Sequence, residues 1–141
     1  MLTVAQLGAF IGVKFHYKAK NGSQGIGKID VYTLDKVGVY EDEAKPFLKP
    51  CNEMSPEELA EWTGEKGFTE DAAKFLISKF SSIWGLHTFI GQHGNYDSIS
   101  WLCSKGFDPF FYISRDLAIH VDKLPEFRQI CAEKSKKAFD C

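Results

Sequence analysis

The chain lacks an excess of positive charge. Its 17 Lys and Arg residues are outnumbered by 19 Asp and Glu, which gives a formal net charge of −2 at pH 7. A protein that binds nucleic acid by neutralising phosphates needs a surplus of cations, so this balance argues against that class. The basic cluster Lys134–Lys137 is typical of a solvated helix end, where cations suit the negative end of the helix dipole. We therefore expect no nucleic-acid partner.

The chain also lacks a long hydrophobic run near its N-terminus. Val4–Val13 is apolar in part, but it is too short and too mixed to cross a bilayer. No charged segment precedes it, so the sequence does not indicate a secretory signal peptide. We expect a cytoplasmic protein with no membrane partner.

Spaced pairs of metal ligands are missing as well. Neither C-x-x-C nor H-x-x-x-H occurs, and zinc ligands normally come in such pairs. His87 and His93 flank a glycine-rich turn, and we interpret them as unliganded. We predict no metal and no cofactor. In a reducing compartment the cysteines are expected to be free thiols: Cys51, Cys103, Cys131 and Cys141.

What the chain does have is the composition of one globular domain. It contains 141 residues, of which 44% are hydrophobic and 14% aromatic, including 12 Phe. A chain of this length can bury a hydrophobic core, and we expect the aromatic side chains to pack in it because they bury large areas. The character changes near Lys49, from β-rich (1–50) to α-rich (51–141). We predict a single α+β domain, 1–141, with the sheet and the helices segregated.

The N-terminal half is predicted to form an antiparallel meander, for which an SH3-like barrel is one arrangement. A short capped helix comes first, and Asn21-Gly22 marks a turn. Pro46 and Pro50 confine the last strand to an edge, because proline cannot donate to a central ladder. The predicted elements are a helix at Val4–Phe10 and strands at Val13–Ala19, Lys28–Leu34, Val37–Tyr40 and Lys45–Lys49, with an acidic loop at Glu41–Glu43.

The C-terminal half is predicted to be mainly helical. Ser55-Pro56-Glu57-Glu58 is a capping box with proline at the first helical position. Thr69 begins a second helix, whose apolar face is assigned to Ala72, Phe75, Leu76 and Phe80. The apolar segment Ile83–Ile90 is interpreted as a strand. Pro125–Phe139 is predicted to be a terminal amphipathic helix.

Between those elements, the segment 95–124 predicts a pair of short helices. The first begins at Asn95 or Asp97 and stops at Gly106, a residue that takes the left-handed conformation at little cost. Asp108 and Pro109 then begin a second helix, with Phe110, Ile113 and Leu117 facing inward. A short strand follows at Ala118–Val121. Phe111 points away from the apolar stripe, so an exposed Phe111 would indicate a partner surface.

This segment carries a family resemblance. SKGFDPFFYISRDLAIHVDKL (104–124) resembles the C-terminal signature of small uncharacterised proteins encoded by phages and prophages of gut Bacteroidota. Upstream, FLKPCNEMS (47–55) resembles their Leu-Arg-Pro-Leu-Ser-Asp-Met-Thr segment. The family often has glycine where Phe111 and Asp116 stand, and aspartate where His120 stands. The resemblance implies a phage accessory protein inside the bacterial host and brings no established activity.

The segment 22–28, GSQGIGK, matches the phosphate-binding pattern G-x-x-x-x-G-K. That chemistry needs a Ser or Thr after the lysine and a helix whose N-terminus meets the phosphates. Ile29 follows instead, and the next residues alternate like a strand. We therefore predict a plain hairpin. Gly25, Gly27 and Lys28 remain candidates for holding an anion in a backbone nest.

Three functional hypotheses follow. The leading one is a non-catalytic protein that binds a host protein or sequesters a small ligand. Its candidate binding residues are Phe111, Arg115, Gly25, Gly27 and Lys28. A second is a small hydrolase or transferase that uses Cys51 or a histidine, since catalytic partners are neighbours in space rather than in sequence. A third is a virion or assembly component, and a homo-oligomer is compatible with each.

Overall fold

The computed structural model describes residues 2–37, 41–65 and 67–139, with side chains except at 41–42 and 133–139. The α+β prediction is confirmed, with strands mainly in the N-terminal half and helices toward the C-terminus. The described chain divides into two compact units. The first comprises Met1–Leu48 and Ile113–Cys141, and the second comprises Lys49–Tyr112. The division near residue 49 coincides with the predicted change of character, and the single-domain assignment stays a prediction.

The first unit combines a sheet with three helices. Its elements are α1 (Val4–Leu7), β1 (Lys14–Ala19), β2 (Gln24–Lys28), α2 (Val31–Lys36), β3 (Glu41–Pro50, whose last two residues enter the second unit), the short β5 (Ile119–His120) and α7 (Leu124–Phe139). The predicted N-terminal helix is confirmed, because Thr3 and Gln6 form a capping box before α1. The backbone of Lys134–Lys137 is helical, but their side chains lie outside the described residues.

A hairpin joins β1 to β2, as the turn signal predicted. Asn21 Oδ1 accepts hydrogen bonds from the Ser23 amide and hydroxyl, at 3.0 and 2.7 Å. Gly22 takes a φ of 90°, which favours glycine. The strands pair antiparallel from Lys14↔Lys28 to Lys18↔Gln24. The phosphate-loop pattern therefore lies on strand–turn–strand, and the hairpin prediction is confirmed.

The predicted second strand, Lys28–Leu34, is wrong. β2 ends at Lys28, and residues 31–36 form α2 instead. The Thr33 amide donates a hydrogen bond to Asp30 Oδ1 at 2.8 Å, and the Asp30 amide donates one to Thr33 Oγ1 at 2.8 Å. This capping box outweighs the β-branched residues that suggested a strand. Most of the predicted strand Val37–Tyr40 lies outside the described residues.

β3 is not the edge strand that its prolines suggested. Its early part, including the expected acidic loop at Glu41–Glu43, pairs antiparallel with β1 up to Pro46. Phe47 and Leu48 then pair in parallel with β5. The two neighbours therefore pair with different stretches of β3. The sheet order in this unit is β2-β1-β3 with β5 on β3, rather than that of a simple meander.

The second unit is a helical cluster. Its elements are α3 (Pro56–Thr63), α4 (Glu70–Ser78), α5 (Ile83–His93), α6 (Asn95–Ser104) and β4 (Phe107–Asp108), which pairs in parallel with Lys49-Pro50. The predicted Ser55–Glu58 capping box is present, with bonds of 3.1 and 3.0 Å. The core of the unit is formed by Cys51, Met54, Leu59, Ala73, Ile77, Phe80, Leu86, Phe89, Ile90, Leu102 and Phe107.

Two predictions in this unit are wrong. The segment Ile83–Ile90 is not a strand but most of α5, which begins where Ser82 Oγ accepts the Gly85 amide at 3.0 Å. A short apolar run fits a buried helix as well as a buried strand, and here the cap decides. The predicted apolar face at α4 is wrong only in part: Leu76 and Phe80 pack in the core as predicted. Ala73 and Ile77 face the core as well, while Phe75 is 61% exposed under the Lys79 ammonium, 4.6 Å from its ring centroid.

In the segment 95–124 the first helix is confirmed as α6, and Gly106 stops it with a φ of 81°. The predicted second helix does not form. Asp108 Oδ1 accepts the Tyr112 amide at 3.0 Å, but Phe111 and Asp116 have φ angles of 57° and 58°. These left-handed residues break the right-handed helix and leave only a 3₁₀ turn at Ile113–Arg115. The short strand predicted after it is present as β5.

Candidate functional site

The two glycines of the phosphate-loop pattern are explained by packing. Gly25 and Gly27 lie directly opposite Tyr17 and Phe15 of the neighbouring strand. The Tyr17 ring and hydroxyl fill the space that a Cβ on Gly25 would need, and a Cβ on Gly27 would lie 3.3 Å from Phe15 Cε1. The predicted anion nest needs a left-handed residue, and neither glycine has a positive φ. The nest is therefore not formed.

Gly27 and Lys28 nevertheless line an open groove of about 430 Å³ between the hairpin and α7. Lys14 lies across from Lys28 on the paired strand. Arg128 and Cys131 reach the groove from α7, which packs against β2. Ile26 completes the lining. The hairpin register and the docking of α7 against β2 together create this space.

α7 is held in place by Phe127. The Phe127 ring lies 4.7 Å from the ring of His16 and 5.6 Å from that of Phe47, both in edge-on geometry. His16 is buried, with 6% exposed. Its Nε2 pairs with Gln24 Oε1 at 3.0 Å, which satisfies the buried ring nitrogen. Phe127 thereby fixes the turn of α7 that presents Arg128.

The groove is positively charged. Lys14, Lys28 and Arg128 line it, and no acidic residue does among the described residues. Within the described chain none of these three cations forms an ion pair, although ion pairs occur elsewhere in the first unit. Directly opposed like charges on paired strands are destabilising, typically by about 0.2–1 kcal/mol. An anion bound between them would remove that repulsion.

The remaining predicted binding residues lie elsewhere. Phe111 belongs to the second unit, where it is half-buried and packed against the core, so it is not the exposed ring that would mark a partner surface. Arg115 is exposed in the 3₁₀ turn of the first unit and does not line the groove. Their binding roles stay predictions.

A second cavity in the first unit, of about 210 Å³, is lined by charged and apolar side chains. Lys45 Nζ lies 2.9 Å from Glu43 Oε1 and 3.1 Å from Asp116 Oδ1. Burial by itself would lower the pKa of Lys45, but hydrogen bonds and attraction from the two carboxylates outweigh it and raise the pKa. Lys45 is therefore a charged ammonium and not a nucleophilic amine.

The thiols are free but inert where they are buried. Cys51, the candidate nucleophile, is 2% exposed, and burial followed by the Asp108 charge raises its pKa. The same causes raise the pKa of Cys103 to about 12. A nucleophilic cysteine needs the opposite shift. Cys131 is half-buried, and Cys141 lies outside the described residues.

The histidines considered as ligands have other contacts. His87 Nε2 lies 2.9 Å from the Pro109 carbonyl oxygen, and the His93 ring packs 4.4 Å from Phe89. Across the described residues, no helix combines the length and the apolar character that a membrane span requires.

The sequence pointed to Lys28 and Gly27 but missed Lys14 and Arg128. Lys14 depended on the length of the hairpin loop: the three-residue loop 20–22 sets Lys14 opposite Lys28, whereas a two-residue turn at Asn21-Gly22 would have set it opposite Ile29. Arg128 carried no local signal, since its place depends on how α7 docks. Comparisons with protein-family models, with curated proteins and with solved structures found no match to this chain.

Proposed function

We propose that this protein is a non-catalytic binding protein whose groove between the hairpin and α7 holds a small anionic ligand. A phosphate-bearing metabolite fits best. Lys28 is a point charge suited to phosphate, and the guanidinium of Arg128 can bind two phosphate oxygens at once. Because the groove is open, the cations hold the phosphate end of the ligand and the rest of the ligand is not enclosed.

The observation that carries this proposal is that Lys14, Lys28 and Arg128 line one groove and form no ion pair with any described residue. The protein carries a net negative charge overall, so this cluster is not a by-product of a basic surface. Elsewhere, lysines have carboxylate partners: Lys74 with Glu70 at 3.0 Å and Lys105 with Glu61 at 2.9 Å. A cluster left without counter-charges among the described residues favours an external anion.

From the family resemblance we also propose the biological context. The protein would be a phage accessory protein that acts in the host cytoplasm by sequestering its ligand. One structural observation supports the resemblance. The two positions where those proteins often have glycine, Phe111 and Asp116, are the two non-glycine residues with left-handed backbones in the described chain. Glycine is favoured at such positions because it lacks Cβ.

The alternative of a hydrolase or transferase built on Cys51 has no structural support, because that thiol is buried and its pKa is raised. Binding of a host protein through the same groove is an outcome of the test below. Such a partner would have to present acidic groups to three cations.

Native mass spectrometry of the protein purified from bacterial cytoplasm tests the proposal. We expect a retained small molecule of phosphate-bearing mass on the wild type. The same mass should be retained by Lys18→Ala, which removes an exposed lysine of β1 outside the groove. It should be lost from the double variant Lys28→Ala, Arg128→Ala. Equal retention by the double variant would remove the groove from the proposal, and a ligand-free protein that instead captures an acidic host protein would replace sequestration with host binding.

A further inference from the structure

The second cavity of the first unit differs from the groove in its chemistry. Its volume of about 210 Å³ is below the range of about 300–1,000 Å³ typical of drug-sized ligands, so it suits a molecule of few heavy atoms. One side is charged, through Glu43, Lys45 and Asp116. Other parts of the lining are apolar, among them Ile119 and Phe127. A cavity with both kinds of wall can orient a small amphiphilic molecule.

The charged side chains of the cavity have hydrogen-bonding groups that no described residue of the protein uses. An ammonium group has three N–H donors, and Lys45 directs two of them to Glu43 and Asp116. Each carboxylate uses one oxygen in these pairs. No further partner of Glu43 Oε2 or Asp116 Oδ2 occurs in the described part of the chain. The wall thus offers one N–H donor and two carboxylate oxygens.

Asp116 is held in an uncommon conformation at this wall. Its φ of 58° is left-handed, which aspartate tolerates better than most residues but still at a cost. Such conformations persist where the surroundings impose them, and they cluster at binding and active sites. Here the conformation carries the Asp116 carboxylate to Lys45, although the Asp116 side chain is otherwise 91% exposed.

The mixture of positive and negative side chains in the cavity lining determines which class of ligand fits. The lining includes two lysines, Lys45 and Lys123, and two carboxylates, of Glu43 and Asp116. A simple anion would be repelled by both carboxylates, and a simple cation would be repelled by both lysines. A ligand that carries one charge of each sign pairs with all four without leaving an uncompensated charge.

We propose that this cavity binds a free α-amino acid with an apolar side chain. The ligand ammonium is placed by Glu43 and Asp116, and its carboxylate by Lys45 and Lys123. Its side chain lies against Ile119 and Phe127. This site is separate in lining and chemistry from the anion groove, and it does not depend on the function proposed for that groove.

Calorimetric titration tests the proposal with leucine, phenylalanine, alanine and glycine as probes. We expect binding of at least one, with leucine or phenylalanine tighter than glycine. The deaminated analogue 4-methylpentanoate and the decarboxylated analogue 3-methylbutylamine should each bind more weakly than leucine by about tenfold or more, because each leaves one pair of protein charges unmatched. No binding by any of the four amino acids, or equal binding by the analogues, would overturn the proposal.

Variants locate the site. Asp116→Asn keeps a side chain that tolerates the left-handed backbone and removes one carboxylate charge, so leucine binding should weaken about tenfold. Lys123→Ala should weaken it as well and provides a second variant at an exposed position. Asp35→Asn, an exposed aspartate of α2 outside the cavity, should bind like the wild type. Lys28→Ala should also leave leucine binding unchanged, which separates this site from the groove. Unweakened binding by both cavity variants would contradict the assignment.

Discussion

Tyr17 lies directly across the hairpin from Gly25, and its ring occupies the space into which a Cβ on that glycine would project. The next pair along, Phe15 and Gly27, repeats the arrangement, and the two rings lie 5.7 Å apart. Aromatic side chains thus cover the glycines of an antiparallel pair. The glycines that suggested a phosphate loop are therefore required by packing, while the lysine that follows them is the residue that reaches the groove.

The first prediction concerns this packing. Gly25→Ala should destabilise the protein by about 1–3 kcal/mol, because the new methyl group displaces the Tyr17 ring. Gly27→Ala should cost less, since its neighbour at 3.3 Å needs to move by only a few tenths of an ångström. Urea unfolding measures both. Gly8→Ala is the control, because nothing lies within 4 Å of its added Cβ. Equal stability of all three variants would refute this account of the glycines.

The second prediction concerns the opposed lysines of the groove. Lys28→Gln should raise the free energy of unfolding by about 0.2–1 kcal/mol at low salt, because it removes repulsion from Lys14. The gain should shrink near 1 M salt, where the Debye length falls to about 3 Å. Lys18→Gln serves as the contrast, since Lys18 lies between Gln24 and Glu43 rather than opposite a cation, so its loss should not stabilise the protein. A gain that is the same at both salt concentrations would rule out charge repulsion as the cause.

The third prediction concerns the left-handed residue Asp116. Asp116→Gly should be more stable than Asp116→Ala by about 1 kcal/mol, because both lose the Lys45 ion pair and only alanine keeps the backbone strain. Thermal unfolding of the two variants measures this difference directly. The order should reverse at Asp122, which lies in a 3₁₀ turn with no positive φ. An alanine variant as stable as the glycine variant at position 116 would speak against strain there.

The fourth prediction concerns alkaline pH. Burial raises the pKa of Cys103 from its ordinary value of 9.0 to about 12. A group with a raised folded-state pKa contributes its full stability below 9.0 and loses it as the pH rises toward 12. The unfolding free energy should therefore fall over this window by up to about 1.4 kcal/mol per pH unit for each such thiol.

Urea titrations at several pH values between 8 and 11, roughly the lower part of the window set by this linkage, measure the slope. Cys103→Ala should be less stable at neutral pH, since it leaves a cavity, but its stability should depend less on alkaline pH. Cys131→Ser, at a half-buried thiol of the first unit, should keep the wild-type slope. An unchanged slope in Cys103→Ala would show that this thiol is not responsible.

Local signals in the sequence predicted much of the fold. Ser55 and Glu58 marked the start of α3, and Asn21-Gly22 marked the hairpin, because caps and turns depend on neighbouring residues alone. Where two local signals competed, pattern reading failed. The β-branched residues after Lys28 suggested a strand, but the Asp30–Thr33 box made a helix. The apolar segment after Ser82 fitted either structure, and packing in the core of the second unit favoured the helix.

The sites were less accessible to prediction. The residue types at Phe111 and Asp116 did not indicate left-handed backbones, so a helix was expected across both, although glycine is frequent at these positions in the proteins that the segment resembles. Lys14 and Lys28 were both visible, but their joint role needed the strand register. Arg128 and Lys45 owe their positions to the docking of α7 and to the staggered pairing of β3, which are long-range features of the fold.

The central claim is that Lys14, Lys28 and Arg128 form one anion site. Titration of isotopically labelled protein with inorganic pyrophosphate, followed by amide NMR at about 0.15 M ionic strength, tests it most directly. The account predicts saturable shifts centred on Lys14, Gly27, Lys28 and Arg128, which are abolished in Lys28→Gln. It predicts no comparable change at the exposed control Lys18. Shifts of equal size at Lys18, or shifts that survive Lys28→Gln, would contradict the claim.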